Sequence, residues 1–346
     1  MAAIVEQVIA EFPVISDPDD VEPLGSANGF SGAEFWRITV GDTVYCLRRW
    51  PREHPSEQRL RWIHAVLQHV RGRGIDYTPI PLPNRQRLSY VEKAGWFWEV
   101  TNWLRGEASF HASPTPQKLQ NALGALAQWH VIAADFDSGT YFDSERCGPP
   151  APAPGMLTRH QRCTELCNGG IDRLSAAVER HTLDQHSGGQ AATIAKQLIR
   201  QFRHRAPPAI SILATACQLK VNRQPCIRDI WHDHVLFEQD RVTGIVDFGA
   251  MRPATVAGDV ARLLGSLVYD DQDMWAIGIR AYDRVRTLTD DERQLIPAWD
   301  LANSLLSGLQ WVEWLFVDGR RFANMTAVES RMNEFLGRIV SRDLPN

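Results

Sequence analysis

The chain has 346 residues, of which 44% are hydrophobic and 23% charged. That is an ordinary globular composition, and it excludes a disordered, collagen-like or disulfide-scaffold protein. The net charge is −4 with no long basic stripe, so neither nucleic acid nor an anionic membrane is an expected partner.

In chain order, the amino terminus carries Glu6 and Glu11 where a signal peptide would be basic and then apolar. Gly25-Ser-Ala-Asn-Gly-Phe-Ser-Gly32 is a glycine-punctuated turn. Ala33–Val40 reads as a strand, Gly41-Asp42 as a hairpin signal, and Thr43–Arg48 as a second strand. Ser56 caps a helix expected to reach about Arg71, with Leu60, Ile63, His64, Leu67 and Val70 at helical spacing. Two more strands are expected near Arg87–Glu92 and Gly95–Trp103. Beyond Trp103 the pattern turns helical: Ser113-Pro-Thr-Pro116 opens a segment with Leu119, Leu123, Leu126, Trp129 and His130 in period. Gly148–Gly155 is a proline-rich loop, and helices are expected over 158–182, 189–204 and 208–220. A β island follows at Cys226–Arg228, Val235–Glu238 and Val242–Val246, and the chain reads helical again from about Val256. No stretch approaches the ~20 apolar residues that span a bilayer. The order predicts an α+β, two-lobed protein: a small antiparallel-sheet lobe with one helix over residues 1–102, and a helical lobe over 103–346 carrying the island at 226–249.

Cysteines stand at 46, 147, 163, 167, 217 and 226. Their scatter suggests a reduced, cytoplasmic protein, with Cys163 and Cys167 as packed thiols on a helix. Lysine occurs only at Lys93, Lys118, Lys196 and Lys220, so nearly all positive charge is arginine.

The island carries the chemistry. Asp229 and Asp247 end short apolar segments, with His234 between them. One carboxylate can accept a hydroxyl proton while the other holds a divalent cation that bridges phosphates. The turn before the Arg48 strand can cradle phosphates with backbone N–H groups, although no Gly-Lys-Ser/Thr follows it. In a rival reading, His232-Asp-His234 and the two acids bind Zn²⁺ or Mn²⁺ for hydrolysis. Trp311 and Trp314, with Glu313, read as core or as an aromatic wall for an amine. Asp270, Asp271 and Asp273 read as a solvated loop.

Arg228-Asp229, His234 and Asp247-Phe-Gly249 resemble the catalytic and metal loops of the protein-kinase-like aminoglycoside phosphotransferase superfamily, which includes choline, homoserine and fructosamine kinases. Tyr45-Cys-Leu-Arg48 is similar to its third-strand Tyr-Val-Leu-Lys/Arg, and Trp103-Leu-Arg-Gly106 to its Trp-Leu-Pro-Gly. Ala127-Gln-Trp-His130 and Gly258-Asp-Val-Ala-Arg-Leu-Leu264 resemble two further motifs in the same order.

The resemblance implies a protein-kinase-like fold and ATP-dependent phosphorylation of a small-molecule hydroxyl acceptor. By that resemblance Asp229 is the catalytic base beside Arg228. Asp247 and His234 hold Mg²⁺ or Mn²⁺, Arg48 pins the α/β phosphates, and Ser26, Asn28, Gly29 and Ser31 cover them. Glu99–Trp103, with Glu99 and Thr101, supplies an adenine hinge through backbone groups.

Four positions depart from the pattern. Arg48 replaces a lysine, Ile227 a histidine and His234 an asparagine. The stretch Arg59-Leu-Arg-Trp-Ile63 has no acid where a helix glutamate is expected, and only Glu57 stands nearby. These departures leave a nucleotide-binding pseudokinase as the alternative; the net negative charge and the Trp311, Glu313 and Trp314 group fit an amine or a sugar alcohol as acceptor.

Overall fold

The computed structural model describes residues 2–26, 32–137, 149–184, 189–322 and 324–342. Helix α1 (Ala2–Ile9), strands β1 (Asp20–Gly25), β2 (Glu34–Val40) and β3 (Thr43–Arg49), and helix α2 (Glu57–Gly72) open the chain. Strands β4 (Val91–Lys93) and β5 (Trp96–Asn102) lead into helix α3 (Pro116–Ala134). Then come β6 (Ala151–Pro152), α4 (Pro154–Glu165), α5 (Ile171–Asp184), α6 (Gln190–Ala216) and β7 (Lys220–Val221). The island comprises β8 (Gln224–Cys226), β9 (Val235–Glu238), β10 (Arg241–Ile245) and β11 (Arg252–Ala254). Helices α7 (Val256–Leu267), α8 (Gln272–Asp283), α9 (Asp290–Phe316) and α10 (Met325–Ser341) close it.

Two compact units result. One is Met1–Arg146 with Pro225–Arg252 and Arg284–Arg286; the other is Cys147–Gln224 with Pro253–Asp283 and Thr287–Asn346. Helix α3 packs on α2 and on β10 and falls within the first unit.

In the first unit, β1 to β5 form an antiparallel sheet in the order β1-β2-β3-β5-β4. Strand alternation gives this sheet two faces. On one, Trp36, Ile38, Leu47, Trp98 and Val100 pack against Val5, Val8, Ile9, Phe12 and Ile15. On the other stand the cross-strand partners Arg48–Glu99 and Cys46–Thr101. Helix α1 was not foreseen: at eight residues it is too short to be stable alone, and it persists by burying Val5, Val8 and Ile9 on the sheet. Ser56 caps α2 as expected, its hydroxyl accepting from Arg59 N, and Leu60, Ile63, His64, Leu67 and Val70 are buried. α3 is capped by Thr115.

The second unit is mainly helical. The helix expected over 158–182 is two, α4 and α5, separated by a kink where Gly169 takes φ 99°. In contrast, α6 runs unbroken through Pro207 and Pro208, where the sequence predicts a gap. Each proline removes an N–H donor. The packing of Leu198, Phe202, Ala206, Ala209 and Leu213, on a helix that meets α9 and α10, outweighs that cost. Trp311 and Trp314 meet edge to face with centroids 5.0 Å apart, and Glu313 accepts from Arg162 at 2.9 Å, so this acid is spoken for. Cys163 is a buried thiol that burial pushes up to about 12, and the described cysteines form no disulfide. No helix among the described residues is long and apolar enough to cross a membrane.

Candidate active site

The hairpin of β9 and β10 brings the two acidic loops together. Ile245 lies opposite Val235, so the residue before β9 and those after β10 are neighbours. Val246 N donates to the His234 carbonyl at 2.9 Å, and Ile245 N to that of Tyr77 at 2.7 Å. Arg228, in the loop entering β9, and Asp247, just beyond β10, both take left-handed backbone conformations, φ 67° and 58°. For a residue with a side chain such a conformation costs about 1–3 kcal/mol, and it persists where the surroundings dictate it. Gly249 sits in close quarters for a different reason: a Cβ there would stand 3.1 Å from Trp50 Cζ3 and 3.2 Å from Asp247 Oδ1, so its neighbours would have to give way slightly.

Arg48 reaches this loop from β3. It is only 8% exposed, lies 3.5 Å above the Trp50 ring, and donates from Nη2 to Asp247 Oδ1 at 3.1 Å. Burial pushes the Asp247 carboxyl up, but the Arg48 charge and the Gly249 N–H outweigh it and hold the group below the usual carboxylate range. Arg48 Nε is buried without a hydrogen-bond partner. A fixed cation with an orphaned donor suits an anionic ligand, and an ionised carboxylate suits a hard divalent cation. The donor set therefore fits phosphate and Mg²⁺.

His234 is held differently from the expectation. The Trp231 indole, which can only donate, gives its Nε1–H to His234 Nε2 at 2.7 Å. Nδ1 therefore carries the proton and donates to the Asp229 carbonyl at 2.7 Å. In this arrangement the ring has no lone pair left for a metal, although Nε2 stands 4.0 Å from Asp247 Oδ2. His232 and His234 lie on a 3-10 turn rather than a strand. Among the described residues they join no third histidine, cysteine or acid in a metal-sized cluster, which removes the support for a hydrolytic metal site.

The strand expected to supply the hinge has neighbours on both sides. β5 is an interior strand, with β3 on one side and β4 and the Pro81–Leu82 segment on the other. Leu82 N donates to the Val100 carbonyl, and Pro81 bridges Thr101. The Glu99 side chain is buried against His64. Trp103–Gly106 is the segment that leaves the sheet. Gly106 (φ 97°) presses on the hairpin so closely that a Cβ would meet Thr243 Oγ1 at 2.3 Å and the Phe237 carbonyl at 2.9 Å. Ser26 lies in an exposed turn after β1; Asn28, Gly29 and Ser31 fall outside the described residues. Sequence reading missed Trp231 and the pairing of His64 with Glu99. The signal for the latter was a histidine on an otherwise aliphatic buried helix face, which demands a partner.

The profile of the Phosphotransferase enzyme family matches residues 24–296. A homoserine kinase of Granulibacter bethesdensis (strain ATCC BAA-1260 / CGDNIH1) is 24% identical over 284 residues, 79% of this chain and 75% of that protein. Among solved structures, the amicoumacin kinase hAmiN, bound to AMP-PNP, Ca²⁺ and Ami, superposes with a TM-score of 0.63 at 12% identity, over 94% of this chain and 91% of that one. A microcompartment-associated aminopropanol kinase gives 0.59 at 14% identity, over 98% and 95%. These likenesses confirm the protein-kinase-like fold.

Proposed function

The chain belongs to the phosphotransferase enzyme family, a small-molecule kinase acting on a hydroxyl group, and from that premise we propose that it moves the γ-phosphoryl group of ATP to a small amino alcohol. The Arg48–Asp247 pair carries this reading, because it sets a phosphate-binding cation and a metal-binding carboxylate side by side. The acceptor hydroxyl loses its proton to Asp229 as its oxygen attacks the γ-phosphorus. The bond to the β–γ bridging oxygen breaks, and ADP leaves. Arg48 orients the α/β phosphates, with Arg228 shaping the loop that presents Asp229. Asp247 would hold the Mg²⁺ or Mn²⁺, which neutralises charge building on the phosphate oxygens. Backbone groups of Trp103–Arg105 receive the adenine, and the turn from Ser26 through Asn28, Gly29 and Ser31 covers the phosphates. Residues 1–102 and 103–346 act as the nucleotide and acceptor lobes. The homoserine and aminopropanol kinases, by their names, act on hydroxyl compounds that also carry an amine, and a chain of net charge −4 suits an acceptor with an ammonium group. The free thiols suit a cytoplasmic setting, where ATP is at hand.

The test is a coupled ADP-release assay over amino alcohols and sugar alcohols, with the wild type and Asp229→Asn. Transfer should require ATP and a divalent cation, and Asp229→Asn should abolish it while ATP affinity stays within a few fold. Near-wild-type turnover by Asp229→Asn would remove that acid from the mechanism. ATP binding without transfer to any acceptor would leave a nucleotide-binding protein.

A further inference from the structure

A cation that is largely buried needs a counter-charge. One that grips phosphate also needs a fixed arm. Helix α2 offers Arg48 no acid: Arg59-Leu-Arg-Trp-Ile63 is basic and apolar. Glu57 sits in the first turn of the helix, where Tyr90 Oη donates to it and Arg61 stands 3.8 Å away. The acid comes from the sheet instead. Glu99 is the cross-strand partner of Arg48, on the same face, and is 6% exposed. Its carboxylate accepts from His64 Nε2 at 2.5 Å. His64 lies in the middle of α2, 2% exposed, with Nδ1 2.7 Å from Ser89 Oγ. Burial pushes the Glu99 carboxyl up, but the hydrogen bond and charge of His64, and then the charge of Arg48, outweigh it and keep the group ionised.

We propose that Glu99 and His64 are a positioning pair for the phosphate-gripping Arg48, with the acid on β5 and its anchor on α2, so that strand and helix have exchanged the roles of acid and partner. The pair rests on the reading of Arg48 as a phosphate ligand. Without nucleotide, Arg48 is ion-paired to Asp247, with Glu99 as its buried cross-strand neighbour. When Asp247 turns to a divalent cation, Arg48 loses one carboxylate, and Glu99 is the buried acid that remains beside it. A fixed negative charge behind the guanidinium stops it from following Asp247. The tether through His64 couples the position of α2 to that of the arginine. Neither residue touches the reacting atoms in this scheme.

Calorimetric titration of ATP and of adenosine, both with Mg²⁺, tests the pair on the full-length wild type, Glu99→Gln, His64→Leu and His64→Gln. Glu99→Gln and His64→Leu should each weaken ATP binding by about tenfold or more, the size of one lost hydrogen bond to a charged group. Adenosine, which has no phosphates, should change by less than about twofold. His64→Gln, whose side-chain amide still donates, should recover most of the ATP affinity. Equal losses for ATP and adenosine, or no difference between the leucine and glutamine variants, would make the pair structural and overturn the proposal. Unfolding of both His64 variants, seen by circular dichroism, would overturn it in the same way. A wild type that binds no ATP would overturn the kinase reading itself, and the pair with it; wild-type binding with unaffected variants would sink the pair alone.

Discussion

An arginine cannot shed its proton as a lysine can, and its planar fork both stacks and chelates. At Arg48 both properties are in use: the guanidinium lies on Trp50 while Nη2 meets Asp247. Arg48→Ala should therefore weaken ATP binding by at least about tenfold and leave adenosine nearly untouched, as parallel titrations would show. Equal losses would make the residue a structural prop. At His234 the expected outcome follows from the Trp231 hydrogen bond, which occupies the lone pair a metal would need. Wild type and His234→Asn should show the same Mn²⁺/Mg²⁺ preference with ATP present, whereas Trp231→Phe should free Nε2 and tilt the balance toward Mn²⁺, the metal better suited to imidazole. A Mn²⁺ preference in the wild type that vanishes in His234→Asn would show that Trp231 lets go when metal arrives.

Among the elements, α9 and α10 are joined by a buried charge cluster. Arg338 spans Asp300 through Nη1 (3.1 Å) and Nη2 (3.0 Å), and Arg342 reaches the same acid at 2.5 Å. Removing the acid leaves Arg342 without a carboxylate and Arg338 with Asp270 alone, so Asp300→Ala should destabilise the protein by about 3–5 kcal/mol, measurable as a fall in calorimetric Tm. A change near zero would mean that water already neutralises the pair. The elements themselves show what a sequence displays. The Ser56 cap, the period of α2 and the alternation of β2, β3 and β5 are local, so they were legible. The unbroken α6 and the short α1 were not, because both exist by virtue of what they pack against. The site divides in the same way. Its two acidic loops stood out as motifs, yet the pair between Arg48 and Asp247 joins residues 199 apart, and no window of sequence contains it. Nothing adjacent to His234 marked Trp231 as the donor that would occupy it, since that depends on the 3-10 turn at His232–His234.

At the level of the whole molecule, the first unit is assembled from stretches far apart in the chain, and the β9–β10 hairpin returns to it only after residue 224. The hairpin supports α3, pairs Glu107 with Phe237 in both directions and holds Tyr77 through Ile245 N. A fragment ending at residue 146 should therefore keep protected amides in the sheet and α2 but exchange those of α3 far faster than the full chain does. Hydrogen exchange that protects α3 equally in both would show that the hairpin is dispensable.

Putting arginine at position 48 also changes which covalent reagents can find this protein. The chain has four lysines, and none precedes Lys93. Nucleotide analogues that acylate an amine beside the phosphates, and aldehydes that condense with one, meet no amine on β3. A survey of ATP-dependent enzymes by amine labelling would pass this one over. Dicarbonyl reagents that modify guanidinium groups should instead inactivate it, more slowly when ATP shields Arg48.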